Sequence, residues 1–296
     1  MPGAKFIDPV VLSRIGNLEL IAKTVVDGLI NGTHRAPFYG ASVDFAEHRG
    51  YVAGDDIRRV DWKVYARTDK YYVKEFEADS NANFSVLLDV SKSMGFGAKI
   101  SKLEYAKTLA ACLAYLANAQ RDRVGLITFD EAVVDHIPPS AKHLDVVLHT
   151  LDRAKALKPG NLVPPLRKLA EHFGRRGIIV VISDFYAEPE EIFHAVGPLV
   201  HRGNDVVLFH VLDPQEIDFS FAEPSSFEDM ESGDQMPIVP TKLAADYRAL
   251  VQAHIDTLTS KAGAQPVDYA LINTSMPLDF ALFRFLSMRQ RLARTR

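Results

Sequence analysis

Cysteine is almost missing from this chain of 296 residues: Cys112 is the only one, which excludes an internal disulfide and any paired-cysteine metal site. It lies in an alanine- and leucine-rich helical stretch, where burial as a small hydrophobe is its expected role. An excess of one charge is also missing. The 34 Lys and Arg against 38 Asp and Glu give a formal net charge of -4, so no overall field draws the chain to nucleic acid. Long apolar runs are absent. The longest, such as Ile178 to Ile182, are strand-length, against the roughly 18 residues that a membrane span needs. No integral membrane segment is therefore expected. The opening Met-Pro-Gly-Ala-Lys-Phe-Ile-Asp has no basic segment followed by an apolar one, so no secretion signal is expected and the cytoplasm is the default compartment.

Several catalytic signatures are missing too. No G-x-x-x-x-G-K-[ST] occurs, so neither a bound nucleotide nor ATP hydrolysis is expected. Gly95-Phe96-Gly97 lacks the third glycine of a dinucleotide loop. The ten histidines contain no H-E-x-x-H, and His143, His149, His194 and His201 read as surface helix residues. No Gly-x-Ser-x-Gly elbow supports a hydrolase triad. The basic tail, Arg289 to Arg296, is sufficiently explained by the attraction of cations to a helix C-terminus.

What is present is 47% hydrophobic and 24% charged, ordinary for a globular chain with a sizeable core. From Phe84 the patterns alternate. Strands are expected at 84–90, 124–129, 178–182, 206–212 and 267–272, with a short antiparallel strand at 133–137. Helices are expected from 101, which has the capping-box form Ser101-Lys102-Leu103-Glu104, and at 141–157, 164–174, 189–201, 242–260 and 277–291. Residues 213–240 are polar and turn-rich and read as an insertion, with a hairpin around Ser232-Gly233-Asp234. This order implies α/β architecture: a three-layer, mostly parallel, doubly wound sheet spanning 81–296. Residues 1–80 read as an N-terminal extension packed on it. The extension holds a helix at 8–31, a strand at 71–78 and, between them, a dense polar-aromatic tract at 47–62.

The chemistry-bearing stretch is Asp89-Val90-Ser91-Lys92-Ser93, at the end of the first apolar strand. A carboxylate and two hydroxyls at alternate positions of an extended turn can converge on one point, which suits a hard cation such as Mg2+ or Mn2+. Alternatively, these side chains cap the turn and the next helix. Ligands of doubly wound sheets bind beyond the C-terminal strand ends, where the strand order switches. Asp184, straight after the strand at 178–182, arrives at that same edge.

Asp89-Val90-Ser91-Lys92-Ser93 resembles the D-x-S-x-S metal motif of von Willebrand factor A-like domains, and the element order resembles their fold. The tract Arg49-x-Tyr51-x-x-Gly54-Asp55-Asp56-x-Arg58-x-x-Asp61-Trp62, continued by Ala66-Arg67, resembles the signature of the bacterial domain-of-unknown-function 58 family. The resemblance implies a non-enzymatic, chaperone-like accessory to a MoxR-type AAA+ ATPase, acting on an unknown client protein through an adhesion-type Mg2+ site. It assigns the metal to Asp89, Ser91, Ser93 and Asp184. The threonine such sites take from a loop is missing from Lys158 to Val163, where Gly160 or Asn161 stands, and Asn161 could supply a carbonyl oxygen. The rival reading is a metal-dependent phosphoester hydrolase built on Asp89 and Asp184. A haloacid-dehalogenase-type Asp-x-Asp is excluded, because Ser91 holds the second place. For the tract at 49–67 two roles stay open: a contact surface for the ATPase, or an internal ion network in which Arg49, Arg58 and Arg67 pair with Asp55, Asp56 and Asp61 while Trp62 seals the extension against the sheet.

Overall fold

Runs of apolar residues without a polar alternate face make strands that must be buried on both sides, and three such strands set the architecture. They are β3 (Asn83–Asp89), β6 (Gly177–Ser183) and β7 (Asp205–Leu212), each buried over almost its whole length. A computed structural model describes residues 9, 17–31, 45–51, 60–76, 82–173, 176–221, 225–230 and 233–294. In it β3 pairs in parallel with β4 (Arg123–Phe129) on one side and with β6 on the other. β6 pairs with β7, and β7 with β10 (Val267–Asn273), both in parallel. β5 (Val133–Ser140) closes the other edge antiparallel to β4. The sheet order is β10-β7-β6-β3-β4-β5. Strand order thus reverses between β3 and β6, and that gap is the switch point at which ligands bind in such sheets.

Each sheet face carries its own core. One face buries side chains of α1 (Leu18–Asn31), α3 (Lys102–Ala119), α4 (Leu144–Arg153) and α9 (Leu278–Arg294). The other buries α5 (Val163–His172), α6 (Pro189–His201) and α8 (Pro240–Gly263). This is the three-layer, doubly wound α/β fold that the alternation of elements implies. Ile21, Val25 and Leu29 of α1 share the core of α3, so this part of the N-terminal segment packs into the main core. The rest of the extension includes β1 (Phe45–Gly50), α2 (Trp62–Thr68) and β2 (Tyr72–Phe76), with β1 and β2 forming an antiparallel pair.

Two differences from the sequence-based expectations bear on the site. Helix α4 ends at Arg153, before the expected Leu157, because Ala154 turns extended and its N–H closes the last turn on Thr150 and Leu151. The freed segment crosses the end of β3: Lys158 bridges in parallel to Ser91, and its carbonyl accepts Lys92 N–H at 2.7 Å. A tertiary pairing here overrides local helical preference. The insertion contains the expected hairpin, β8 (Ser225–Glu228) with β9 (Gln235–Ile238), and Gly233 takes the left-handed turn position at φ 81°. It also contains an unexpected short helix, α7 (Pro214–Asp218), started by a capping box between Asp213 and Glu216.

Candidate functional site

Beyond Leu88 the chain leaves the core with Asp89, and both carboxylate oxygens find donors at once. Oδ1 accepts Ser91 N–H at 2.9 Å. Oδ2 accepts Ser183 O–H at 2.6 Å. The second bond joins the end of β3 to the end of β6, across the switch point. A 3-10 turn, Lys92–Gly95, follows, and buried Met94 anchors it from below. The turn brings Ser91 Oγ and Ser93 Oγ to 3.1 Å. Asp89, Ser91 and Ser93 are therefore brought together as expected, and Ser183, which sequence reasoning passed over, belongs with them.

Asp184 arrives at the same edge but is held from another side. Its Oδ2 accepts Lys102 Nζ at 2.8 Å. The next residue, Phe185, sits at φ 49°, a conformation that bulky side chains rarely adopt and that tends to mark constrained sites. Its N–H is donated back to Ser183 Oγ at 3.0 Å. The ammonium of Lys102 also meets Glu216 Oε1 at 2.6 Å, and Tyr186 covers it with the ring centroid 4.8 Å away. The Lys102 side chain is completely buried. Burial alone would push its ammonium down, but Asp184 and Glu216 outweigh that and hold it above its ordinary value.

The loop from Lys158 to Val163 contributes no hydroxyl here. Gly160 faces Ser91 so closely that a Cβ built on it would lie 2.2 Å from Ser91 Cβ. Asn161 is exposed and turns its side-chain carbonyl to its own helix, where it accepts Val163 N–H at 3.2 Å. Among the described residues no three His, Cys, Asp or Glu side chains gather to hold a metal. An ion at this edge would rely on one carboxylate, hydroxyls and water. Asp89, Ser91 and Ser93 fit that need, since all three are hard oxygen donors on one turn.

Asp89 is buried, and that burial, followed by the nearby charge of Asp184, pushes its carboxyl up to about 7, against the lowering effect of the bonds from Ser183 and Ser91. A carboxyl raised on folding holds a proton that the unfolded chain has already lost, so stability falls as pH rises from about 4 to about 7. Asp89→Asn removes that slope. Its stability relative to the parent, measured by urea unfolding across this range, is expected to improve with pH and to level off above about 7. A parallel pH profile for the two proteins would contradict the assignment.

The signature tract is only partly within the described residues. Asp55, Asp56 and Arg58 lie outside them, and Arg49 is placed by its backbone in β1. Asp61 is buried and its Oδ1 accepts Val64 N–H at 3.2 Å, starting α2. The expectation that Trp62 seals the extension against the sheet is corrected: the residue is 54% exposed. It is the first residue of a seven-residue helix and directly follows buried Val60 and Asp61. It meets Tyr65 edge-on at 6.1 Å, Tyr65 stacks on Tyr71 at 4.4 Å, and Tyr71 reaches Tyr51 at 6.2 Å. Arg67 is exposed on the same helix. The visible part of the tract is thus a partly exposed aromatic cluster.

The family described as "Protein of unknown function DUF58" matches residues 47–257. Curated relatives described as uncharacterized proteins of Mycobacterium tuberculosis (strain ATCC 25618 / H37Rv) and Mycobacterium bovis (strain ATCC BAA-935 / AF2122/97) are 30% identical over 232 residues, covering 76% of this chain and 73% of theirs. Among solved structures, the chain is similar to the conserved hypothetical protein BatB from Bacteroides thetaiotaomicron, at 17% identity and a TM-score of 0.47, covering 72% of this chain and 99% of that one. It is also similar to an aerotolerance-related membrane protein from Bacteroides fragilis, at 18% identity and a TM-score of 0.46, covering 70% of this chain and 98% of that one. Among the described residues of this chain, no helix is long and apolar enough to cross a membrane.

Proposed function

The chain belongs to the DUF58 family, and from that premise we propose that it is a protein-interaction module without catalytic activity, whose contact is the edge formed by Asp89, Ser91, Ser93 and Asp184. The observation that carries this reading is the fixed state of the edge. Both oxygens of Asp89 already accept hydrogen bonds, and Asp184 is tied to a buried ammonium. Each oxygen of Asp89 keeps a second lone pair that an ion could use, but with Asp184 held by Lys102 no second carboxylate at this edge is left to serve as nucleophile or general base. Rigid, satisfied groups suit recognition instead, and this weighs against the phosphoester hydrolase.

Mg2+ or Mn2+ would be held here by Asp89, Ser91 and Ser93 with water, and such an ion leaves coordination positions open to an acidic side chain of a partner. The partner we propose is a MoxR-type AAA+ ATPase, with the chain serving as its accessory in activating or assembling a client protein in the cytoplasm. The aromatic cluster of Trp62, Tyr65 and Tyr71 is a second surface that this ATPase could contact, since exposed aromatic groups are enriched in protein interfaces.

The purified ATPase of the same genome, titrated against this chain by calorimetry, tests the reading. Asp89→Asn with Ser93→Ala is expected to weaken binding by about tenfold or more, equivalent to at least ~1.4 kcal/mol. Undiminished binding would remove the edge as the contact. Turnover of a generic phosphate ester that disappears in Asp89→Asn would overturn the non-catalytic assignment.

A further inference from the structure

We infer that Lys102 is a resident cation of this edge: its ammonium fills the place between Asp184 and Glu216 that a divalent ion would otherwise take, and it confines any exchangeable metal to Asp89, Ser91 and Ser93. The inference rests on the reading of the edge as a cation-bearing contact site and says which cation is permanent.

The geometry is that of an ion site already filled. Nζ lies 2.8 Å from Asp184 Oδ2 and 2.6 Å from Glu216 Oε1, and its side chain is wholly buried. Those are the distances of charge-assisted hydrogen bonds, and they occupy one oxygen of each acid. The acids reach the ammonium from separate elements. Asp184 directly follows β6, one residue before the strained Phe185. Glu216 comes from α7, where its other oxygen, Oε2, accepts Asp213 N–H at 2.8 Å. Asp213 is fixed in turn by Ala98 N–H, Gln215 N–H and Thr274 O–H. Glu216 therefore does not depend on Lys102 alone for its position.

Lys102 itself is badly placed by local rules. It is the first residue of α3, at the positive end of the helix dipole, where a cation is disfavoured. Full burial adds a further cost. The two carboxylates and the face of Tyr186 compensate it. A site that keeps a lysine against both penalties needs a cation that does not exchange. Through Asp184 the ammonium also brings a positive charge to the edge that carries Asp89, Ser91 and Ser93, and like charges weaken the binding of an ion there. With no hydroxyl at Gly160 or Asn161, the remaining donor set is small.

Mn2+ titration of the whole chain, followed by electron paramagnetic resonance and by melting temperature, tests the inference. The parent is expected to bind Mn2+ weakly and to melt at nearly the same temperature with Mn2+ or with EDTA. Lys102→Ala is expected to bind Mn2+ at least about tenfold more tightly, or ~1.4 kcal/mol, and to melt higher with Mn2+ than with EDTA. Adding Glu216→Gln to Lys102→Ala should abolish the gain, which places the ion where the ammonium was. Should Lys102→Ala fail to fold in either medium, Lys102→Met with Asp184→Asn and Glu216→Gln, which leaves no buried charge, decides: Mn2+ affinity close to that of the parent supports the inference, and a loss of about tenfold overturns it. Tight Mn2+ binding by the parent that needs Asp184 overturns it while leaving a metal-bearing contact edge intact. Loss of ATPase binding would test only the partner.

Discussion

Lys102→Met is expected to destabilise the fold by about 3–5 kcal/mol, the usual cost of removing one partner from a buried ion pair. Methionine fills much the same volume, so the loss comes from charge and not from a cavity. Asp184 and Glu216 would be left facing each other with no cation between them. Glu216, whose carboxyl burial already pushes up, can relieve the repulsion by taking up a proton, so the deficit should be greatest at high pH and shrink as pH falls. Replacing all three together, as Lys102→Met with Asp184→Asn and Glu216→Gln, should recover most of the lost stability, because no uncompensated charge remains. Urea unfolding of the single and triple variants at two pH values measures both effects. A single variant within about 1 kcal/mol of the parent at high pH would mean that the acids are better hydrated than their burial indicates.

How far this site could be read from the sequence depends on which rule each residue obeys. Asp89, Ser91 and Ser93 were legible because three oxygen-bearing side chains follow an apolar strand at alternate positions, and Asp184 because it ends another such strand. Lys102 was hidden by a correct local reading. Ser101 does cap α3, its Oγ accepting Glu104 N–H at 3.1 Å, and this accounted for the segment without its lysine. The overlooked signal was a cation in a first helical turn, a local conflict of the kind that marks functional positions. Glu216 was hidden because α7 is too short for a periodic pattern. Trp62 misled for the opposite reason: a lone large aromatic reads as core, yet aromatic burial depends on where a short helix points, which periodicity over seven residues does not fix. The five parallel strands were recovered to within a residue at each end, since continuous apolar runs bounded by turns leave few alternatives, whereas the edge strand β5 runs three residues beyond its expected end at 137. The loop after α4 was not, because its extended course is imposed by Ser91, far away in sequence.

That distant pairing underlies the second large effect, expected for Gly160→Ala. The new Cβ would lie 2.2 Å from Ser91 Cβ and 3.0 Å from its Oγ. Ser91 Cβ is fixed directly to the backbone, so no rotamer change relieves the clash. Either the loop carrying Lys158 moves off, breaking the bond from Lys92 N–H to its carbonyl, or the Asp89–Ser93 turn is displaced. The first costs the edge its covering loop, and the second costs Asp89 the bond from Ser91 N–H. Overpacking of this kind destabilises by about 1–3 kcal/mol. The larger consequence should be functional, because a displacement of even 1 Å spoils a site built from three convergent oxygens. Binding of the ATPase and of Mn2+ should both fall by about tenfold or more. Gly197→Ala supplies the contrast. Gly197 lies within α6, where a Cβ would meet nothing within 4 Å, so that variant should gain up to about 1 kcal/mol from helical preference and leave binding unchanged. If Gly160→Ala behaved like Gly197→Ala, the loop would yield without disturbing the hydroxyls, and the close approach of Gly160 to Ser91 would not be what keeps them in place.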